Sequence, residues 1–414
     1  MRNMKIGIAG AGLLGRLLAW HLSRQGHEVH VFDPAPHARP THDGQGAAGF
    51  TAAGMLSPLA ELETAEPDVA ARGWHSIAHW RAIAADMGDN IAPRTPPCTP
   101  PRTSPRTPPR TPPHFAQHGS LMVAHGPDLG AARRVLSRLG RPQALLAAGS
   151  AAHHDAQARA PVNAQPQALS PEQLRALEPE LHGSGGPLHA WLLPGEAHID
   201  TVAMMQALHD GAPGARWHWG TRVQQVTPGC LWLAPLADPS AAPAAAHAFD
   251  LVCDVRGVGA RPTLPVRGVR GEVVWLHAPG VRLHRPVRLL HPRHRIYIVP
   301  RPGECLLVGA SELETEDRGP VTLRSAVELM AAAHSILPAL AEARILRLDA
   351  NLRPALPDHR PHIHTEPGLM RLNGLYRHGW LLAPSLADEA LRALALPGLP
   401  GLPGLPDTSI APSA

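Results

Sequence analysis

Lys5-Ile-Gly-Ile-Ala-Gly10-Ala-Gly12-Leu-Leu-Gly15 opens a stretch that runs on to Phe32-Asp33, and its pattern decides the fold. Residues 5–9 are a short apolar run closed by glycine, which predicts a buried strand. Leu17, Leu18, Ala19 and Leu22 then recur at helical spacing, and Gly26 supplies a stop. Val29, Val31 and Phe32 make a second strand that ends at Asp33. Strand, glycine loop, helix and strand in this order form a βαβ unit, the nucleotide-binding half of a doubly wound sheet. The three glycines do different things. Gly10 permits the tight turn, Gly12 lets backbone approach a pyrophosphate, and Gly15 lets helix pack on strand. The helix start at Leu13 and Leu14 presents free N–H groups and a partial positive charge to a diphosphate. Asp33 lies 18 residues past Gly15, placed to accept hydrogen bonds from an adenosine ribose. Its charge disfavours a 2′-phosphate, so FAD or NAD fits better than NADP.

The chain has 414 residues, which suits two domains. Hydrophobic residues make up 44%, so a sizeable core forms and wholesale disorder is excluded. No apolar run approaches the roughly 20 residues that a membrane span needs. The N-terminus turns at once into strand and glycine loop, so no secretory signal is expected and a cytoplasmic location is. Net charge is +4, but 38 basic residues face 34 acidic ones and Lys5 is the only lysine. Such thinly spread charge gives no reason to expect nucleic acid. The four cysteines form no CxxC pair. His291/His294 and His359/His362/His364 match neither HExxH nor zinc-finger spacing, so with 27 histidines chance explains them and no metal is expected.

Proline repeats at 93–113 predict an exposed insertion, and Leu-Pro-Gly repeats from 396 predict a disordered tail over 396–414. A softer Ala/His/Gln stretch at 151–167 reads as loop. Helices are expected over 170–181, capped by Ser170, over 201–208 and over 323–337. Strands are expected over 249–254, 271–276, 295–299 and 305–310. The fold class is therefore α/β (α+β overall): a Rossmann-like nucleotide domain interleaved with a mostly antiparallel β-sheet substrate domain. Expected boundaries are 1–92, 197–262 and 345–395 for the first domain, and 114–196 with 263–344 for the second.

Further motifs follow in order. They are Ala52-Ala-Gly-Met-Leu56, Gly195-Glu196 with Asp200, Arg270-Gly-Glu-Val273, Tyr297-Ile-Val-Pro-Arg301 and Val308-Gly-Ala310. Leu352-Arg-Pro354 with Pro357-Asp358, and Gly374-Leu-Tyr-Arg-His-Gly379 with Leu382-Ala-Pro384, complete the set. On these motifs, over nearly the whole chain outside the proline-rich insertion and tail, the sequence resembles the D-amino-acid-oxidase-like flavoproteins, nearest the glycine oxidases of thiamine biosynthesis. The resemblance implies non-covalent FAD rather than NAD, since no cysteine lies in the 352 or 374 motifs. It implies flavin contacts from Ala53, Gly54 and Met55, and from Tyr376, His378, Gly379, Trp380 and Leu381. It implies an adenine-side contact at Val223.

An amino-acid oxidase must grip a carboxylate, which a guanidinium does through two parallel hydrogen bonds. By resemblance Arg353 is that clamp and Tyr297 lines the pocket beside it. Arg377 holds substrate or flavin, or makes a structural salt bridge. Glu312 departs from the apolar residue that the resemblance allows there. A carboxylate at that point repels an acidic substrate, holds an amine, or faces solvent. The implied activity is FAD-dependent oxidative deamination of a small amino acid, glycine foremost, to an imine with O2 as acceptor and H2O2 as product, feeding thiazole formation. Related sarcosine, proline or D-amino-acid oxidases or dehydrogenases remain open, as does a non-catalytic flavin-binding scaffold, and a homo-oligomer is allowed.

Overall fold

The computed structural model describes residues 3–88, 115–139, 164–234, 245–293 and 295–401. The proline-rich insertion, most of the 151–167 loop, His294 and the tail beyond 401 lie outside the described residues.

The opening stretch folds as its periodicity demands. Strand β1 (Lys5–Ala9) pairs in parallel with β2 (Glu28–Asp33), and helix α1 (Leu13–Arg24) crosses between them. β1 and β2 sit inside a six-stranded sheet. From one edge to the other it runs His362–Glu366, Leu369–Asn373, Leu251–Asp254, β1, β2 and Arg216–Trp219. Only the outermost pair, at the 362 edge, is antiparallel. Gly10 adopts φ +103°, which a side chain resists, and the helix presses so close that a Cβ on Gly15 would stand 1.8 Å from the Gly10 carbonyl oxygen. Arg16 is buried within α1, yet its guanidinium donates to the carbonyls of Ala11, Met205 and Ala38, so burial costs it no hydrogen bonds.

The second sheet has eight strands. In spatial order they are Arg344–Ala355, Arg267–His277, Cys305–Gly309, Arg295–Arg301, Val287–Leu290, Ser120–His125, Leu188–Leu193 and Gln167–Leu169. It is antiparallel except where Val287–Leu290 meets Ser120–His125. Strand alternation sorts its side chains by face. Val274, Leu276, Ile296, Ile298, Leu306 and Val308 pack with Leu329, Ala333 and Ile336 of the Leu323–Ile336 helix. Val273, Trp275, Val299 and Leu307 point the other way and meet Ala53, Met55 and Tyr297. The sheet thus has one face on a helix and one face toward the nucleotide domain.

Three expected details differ. The third segment of the nucleotide domain does not begin at 345, because Arg344–Ala355 pairs along its length with Arg267–His277 in the second sheet. Residues 396–401 are not a loose tail. Leu399 is buried and its N–H donates to Asp388, while the carbonyls of Pro397 and Pro400 meet the rings of His21 and His79. Low complexity does not prevent docking where an apolar side chain and carbonyl acceptors find partners. Helix Pro171–Leu177 has the expected Ser170 cap, strengthened by Gln173 in a reciprocal capping box, but ends four residues early.

Candidate active site

A cleft of about 1170 Å³ runs between the two sheets, larger than the roughly 300–1,000 Å³ usual for a small-molecule site. Its nucleotide end is lined by Gly10, Gly12, Leu13, Leu14, Asp33 and Val223. Gly12 is the N-cap of α1 with no side-chain cap, so the first helical N–H groups are left for a ligand. A Cβ on Gly12 would meet only Ala47, at 3.8 Å, so the space in front of it is open. Gly15 does not line the cleft; it serves the helix–strand contact described above. Asp33 accepts N–H bonds from Ala11 at 2.6 Å and Ala35 at 2.8 Å. It therefore braces the glycine loop as well as facing the cleft. The Val223 carbonyl is engaged by Arg256, itself paired with Asp254 at 2.8 Å.

The middle of the cleft is formed by Ala53, Gly54, Met55, Gly379, Trp380 and Leu381. Gly54 adopts φ +65°, and a Cβ there would lie 2.3 Å from the Ile199 carbonyl oxygen, so only glycine lets this segment lie against its neighbour strand. Trp380 donates from Nε1 to the Gly49 carbonyl at 3.0 Å and fixes the 48–51 turn against the last helix. These features fit FAD: an uncapped helix start for the diphosphate, a ribose-facing carboxylate and a glycine-lined wall for the ring.

The far end lies on the second sheet. Tyr297 pairs across strands with Gly309, and its ring covers that glycine so closely that a Cβ would stand 2.8 Å from the phenol oxygen. Arg353 uses a second gap: a Cβ on Gly271 would stand 2.3 Å from its Nη2. The guanidinium donates to the carbonyls of Arg270 at 3.3 Å and Ser311 at 3.1 Å and keeps its other N–H groups for the cleft. Burial pushes the Tyr297 phenol up despite the opposing pull of Arg353 and Arg288, so it remains a hydrogen-bond donor at neutral pH.

A charge network rims this end. Glu61 binds Arg288 at 3.2 Å, Arg377 at 3.2 Å and His378 at 3.0 Å. Burial opposes ionisation of Glu61, yet the hydrogen bond and charge of His378 with the two guanidiniums outweigh it and hold the carboxyl far below its usual range. Glu312 accepts from the Tyr376 hydroxyl at 2.6 Å and lies 3.7 Å from Arg377. Burial and that bond push the Tyr376 phenol up to about 12. Of the three environments open to Glu312, the structure gives a half-exposed carboxylate tied to Tyr376 and Arg377. Arg377 lines the cleft but spends its donors on Glu61, Thr64 and Glu312. His378 does not line the cleft; it stands behind Glu61.

Sequence reasoning missed Arg288 and the role of Glu61. Arg288 lies directly across from Tyr297 in the sheet and lines the cleft. Val287 and Leu289 face the helix side, so strand alternation alone turns Arg288 to the cleft, a signal present in Val-Arg-Leu-Leu.

A glycine-rich dinucleotide cradle running into a wall of guanidinium and phenol defines a flavin-dependent oxidoreductase. A family model described as FAD dependent oxidoreductase matches residues 5–392, and the chain belongs to that family. The putative thiamine biosynthesis oxidoreductase ThiO of Rhizobium etli is 34% identical over 392 residues, 94% of this chain and 96% of that protein. The glycine oxidase of Geobacillus kaustophilus is 24% identical over 388 residues, 92% of this chain and 89% of that protein. Its kind is also similar in structure: glycine oxidase from that organism superposes with a TM-score of 0.71 at 21% identity, covering 98% of this chain and all (100%) of that one. Iminodiacetate oxidase from Chelativorans sp. BNC1 gives a TM-score of 0.72 at 22% identity, covering 95% and 96%. At such identities the structural likeness speaks for the fold.

Proposed function

We propose that the protein oxidises a small amino acid, glycine before others, to its imine, with O2 as electron acceptor and H2O2 as product, in the service of thiazole formation for thiamine. One arrangement supports this most: Arg353 and Tyr297 each lie over a glycine on the same sheet face, at the end of the cofactor cleft. The Arg353 guanidinium is held by two carbonyls, which leaves N–H donors to grip a carboxylate in a fixed plane. Tyr297 adds a neutral hydroxyl donor to the same carboxylate. Pinning that end of a substrate directs its Cα along the cleft and removes most of its rotational freedom before reaction. The flavin, when bound, supplies the acceptor for the Cα hydride and passes the electrons to O2. An amine that enters unprotonated needs no general base. Arg377 serves here as a positioning residue that holds the cleft mouth through Glu61 and Glu312.

The test is the visible spectrum of the purified protein before and after anaerobic glycine. The flavin band should bleach, and Arg353→Ala should retain the band while bleaching at least a hundredfold more slowly at equal glycine. Normal bleaching in that variant would remove Arg353 from the substrate site.

A further inference from the structure

We propose that Arg301 is a positioning residue of the flavin site: it fixes the wall segment at Ala53 and holds behind it an unpaired positive charge that favours the reduced flavin. The proposal rests on membership of the FAD-dependent family and on no particular amine.

Arg301 is 6% exposed and ends the strand Arg295–Arg301. Strand alternation puts it on the face of Tyr297 and Val299, where Val299 packs with Ala53 and Trp275. Its Nη2 donates to the Ala53 carbonyl at 2.5 Å and its Nη1 to the Pro300 carbonyl at 3.1 Å, while Cζ lies 5.9 Å from the centre of the Trp275 ring. Arg301 does not line the cleft itself, but Ala53 does, together with Gly54 and Met55. The guanidinium therefore sits one residue behind the cleft surface and grips the backbone of that surface.

What sets Arg301 apart is the lack of a counter-ion. Other enclosed guanidiniums are neutralised: Arg270 by Glu272 at 2.7 Å, Arg256 by Asp254 at 2.8 Å and Arg285 by Glu178 at 2.8 Å. Arg347 lies over the same Trp275 ring at 4.0 Å and is neutralised by Asp349 at 2.8 Å. Among the described residues no carboxylate forms an ion pair with Arg301. The acid that attracts it, Asp200, accepts instead from the Val202 and Ala203 N–H groups at 3.0 and 3.1 Å and caps the helix Thr201–Asp210. A buried charge without a partner is costly, and a guanidinium does not escape the cost by giving up its proton.

The chemistry of the site supplies the opposite charge. Hydride transfer from Cα adds one hydrogen with its two electrons, and so one negative charge, to the flavin. A fixed cation behind the wall stabilises that product over the oxidised ring. In the effective dielectric of about 20 found in protein sites, a unit charge about 10 Å away shifts an equilibrium roughly tenfold.

The test uses the FAD-loaded protein and sulfite, which adds reversibly to oxidised flavin, bleaches its band and leaves a negative charge on the ring without any amine. Arg301→Met and Arg301→Lys are both unbranched and both give up the fixed bond to Ala53, but only lysine keeps the charge. Methionine buries no new polar group, so it suits the site for folding. Arg301→Met should bind sulfite about tenfold more weakly than the parent. Its flavin potential should fall by about 30 mV, the equivalent of tenfold for two electrons. Arg301→Lys should stay within about threefold of the parent, and so should Arg347→Gln, which removes a charge that is already paired. Parent-like sulfite affinity in Arg301→Met, or an equal loss in the Met and Lys variants, would overturn the electrostatic role. Should Arg301→Met fail to retain FAD, Arg301→Gln takes its place under the same criterion. Neither readout involves amine oxidation, so failure here leaves the glycine reading standing, and failure of glycine to bleach the flavin leaves this proposal standing.

Discussion

Gly271→Ala separates the clamp proposed for Arg353 from the fold. Gly271 has no left-handed φ, so an added methyl costs nothing in backbone strain. The methyl would instead stand 2.3 Å from Arg353 Nη2 and 2.4 Å from Cζ. These are the far atoms of a flexible side chain, so the guanidinium swings away and the sheet stays. What is lost is its fixed plane, with the bonds to the Arg270 and Ser311 carbonyls. Two charge-assisted bonds to a substrate carboxylate are worth about 1.5–3 kcal/mol each, which sets a ceiling of roughly 10²- to 10⁴-fold in kcat/KM. The guanidinium is displaced and not deleted, so the lower end, about 10²-fold, is expected for glycine. Rapid anaerobic mixing reads the effect as a weaker apparent Kd in flavin bleaching, with FAD content and Tm unchanged. If Gly271→Ala bleaches within threefold of the parent while Arg353→Ala does not, the reasoning fails, because the clamp then works without its glycine seat.

Two further outcomes follow from the cofactor end and the rim. Gly15→Ala drives a methyl into the Gly10 carbonyl, a backbone atom that cannot give way, so thermal unfolding should show a lower Tm together with lost FAD; Gly12→Ala meets open space and should lower FAD affinity at unchanged apoprotein Tm. Glu61→Gln should destabilise the protein at pH 7 by about 1.5–3 kcal/mol, because Arg288 and Arg377 lose the carboxylate they share. The folded-state pKa of Glu61 lies below its ordinary 4.5, so the unfolded chain takes up its proton first as pH falls. The stabilisation is therefore fully present above about 4.5 and disappears as pH descends through the folded value, so denaturant unfolding of variant and parent should converge toward acid pH. A constant gap from pH 7 to pH 3 would refute the assignment.

The nucleotide half was legible because local physics dictates it. The strand, the glycine turn and the helix are each specified by residues within a few positions, and the structure has 5–9 as a strand, Gly10 at a positive φ, open space before Gly12 and Gly15 pressed on the Gly10 carbonyl. The 345 boundary was not legible. Arg344–Ala355 is an edge strand whose partner, Arg267–His277, lies far away in sequence, and pairing across such a distance leaves no local trace. The docking of 396–401 was hidden for a related reason: Leu399 is buried only because Asp388 and helix Pro67–Gly88 are already there to receive it.

The site divides along the same line. Arg353 and Tyr297 stood out by resemblance, but what seats them in the cleft wall is the pair of glycines beneath them, Gly271 and Gly309. Those glycines read in the sequence only as members of short motifs; their purpose appears when the strands align. Arg288 shows the reverse. In a chain whose basic residues are nearly all arginine, one more arginine carries little weight. Yet Val287 and Leu289 are apolar and Arg288 between them is charged, and in a strand buried on its helix side that alternation has a single outcome: the guanidinium points into the cleft. A charge placed there must be paired or used. Glu61 pairs it, and the same carboxylate also holds Arg377 and His378, so one acid ties the sheet wall to the 376–378 turn.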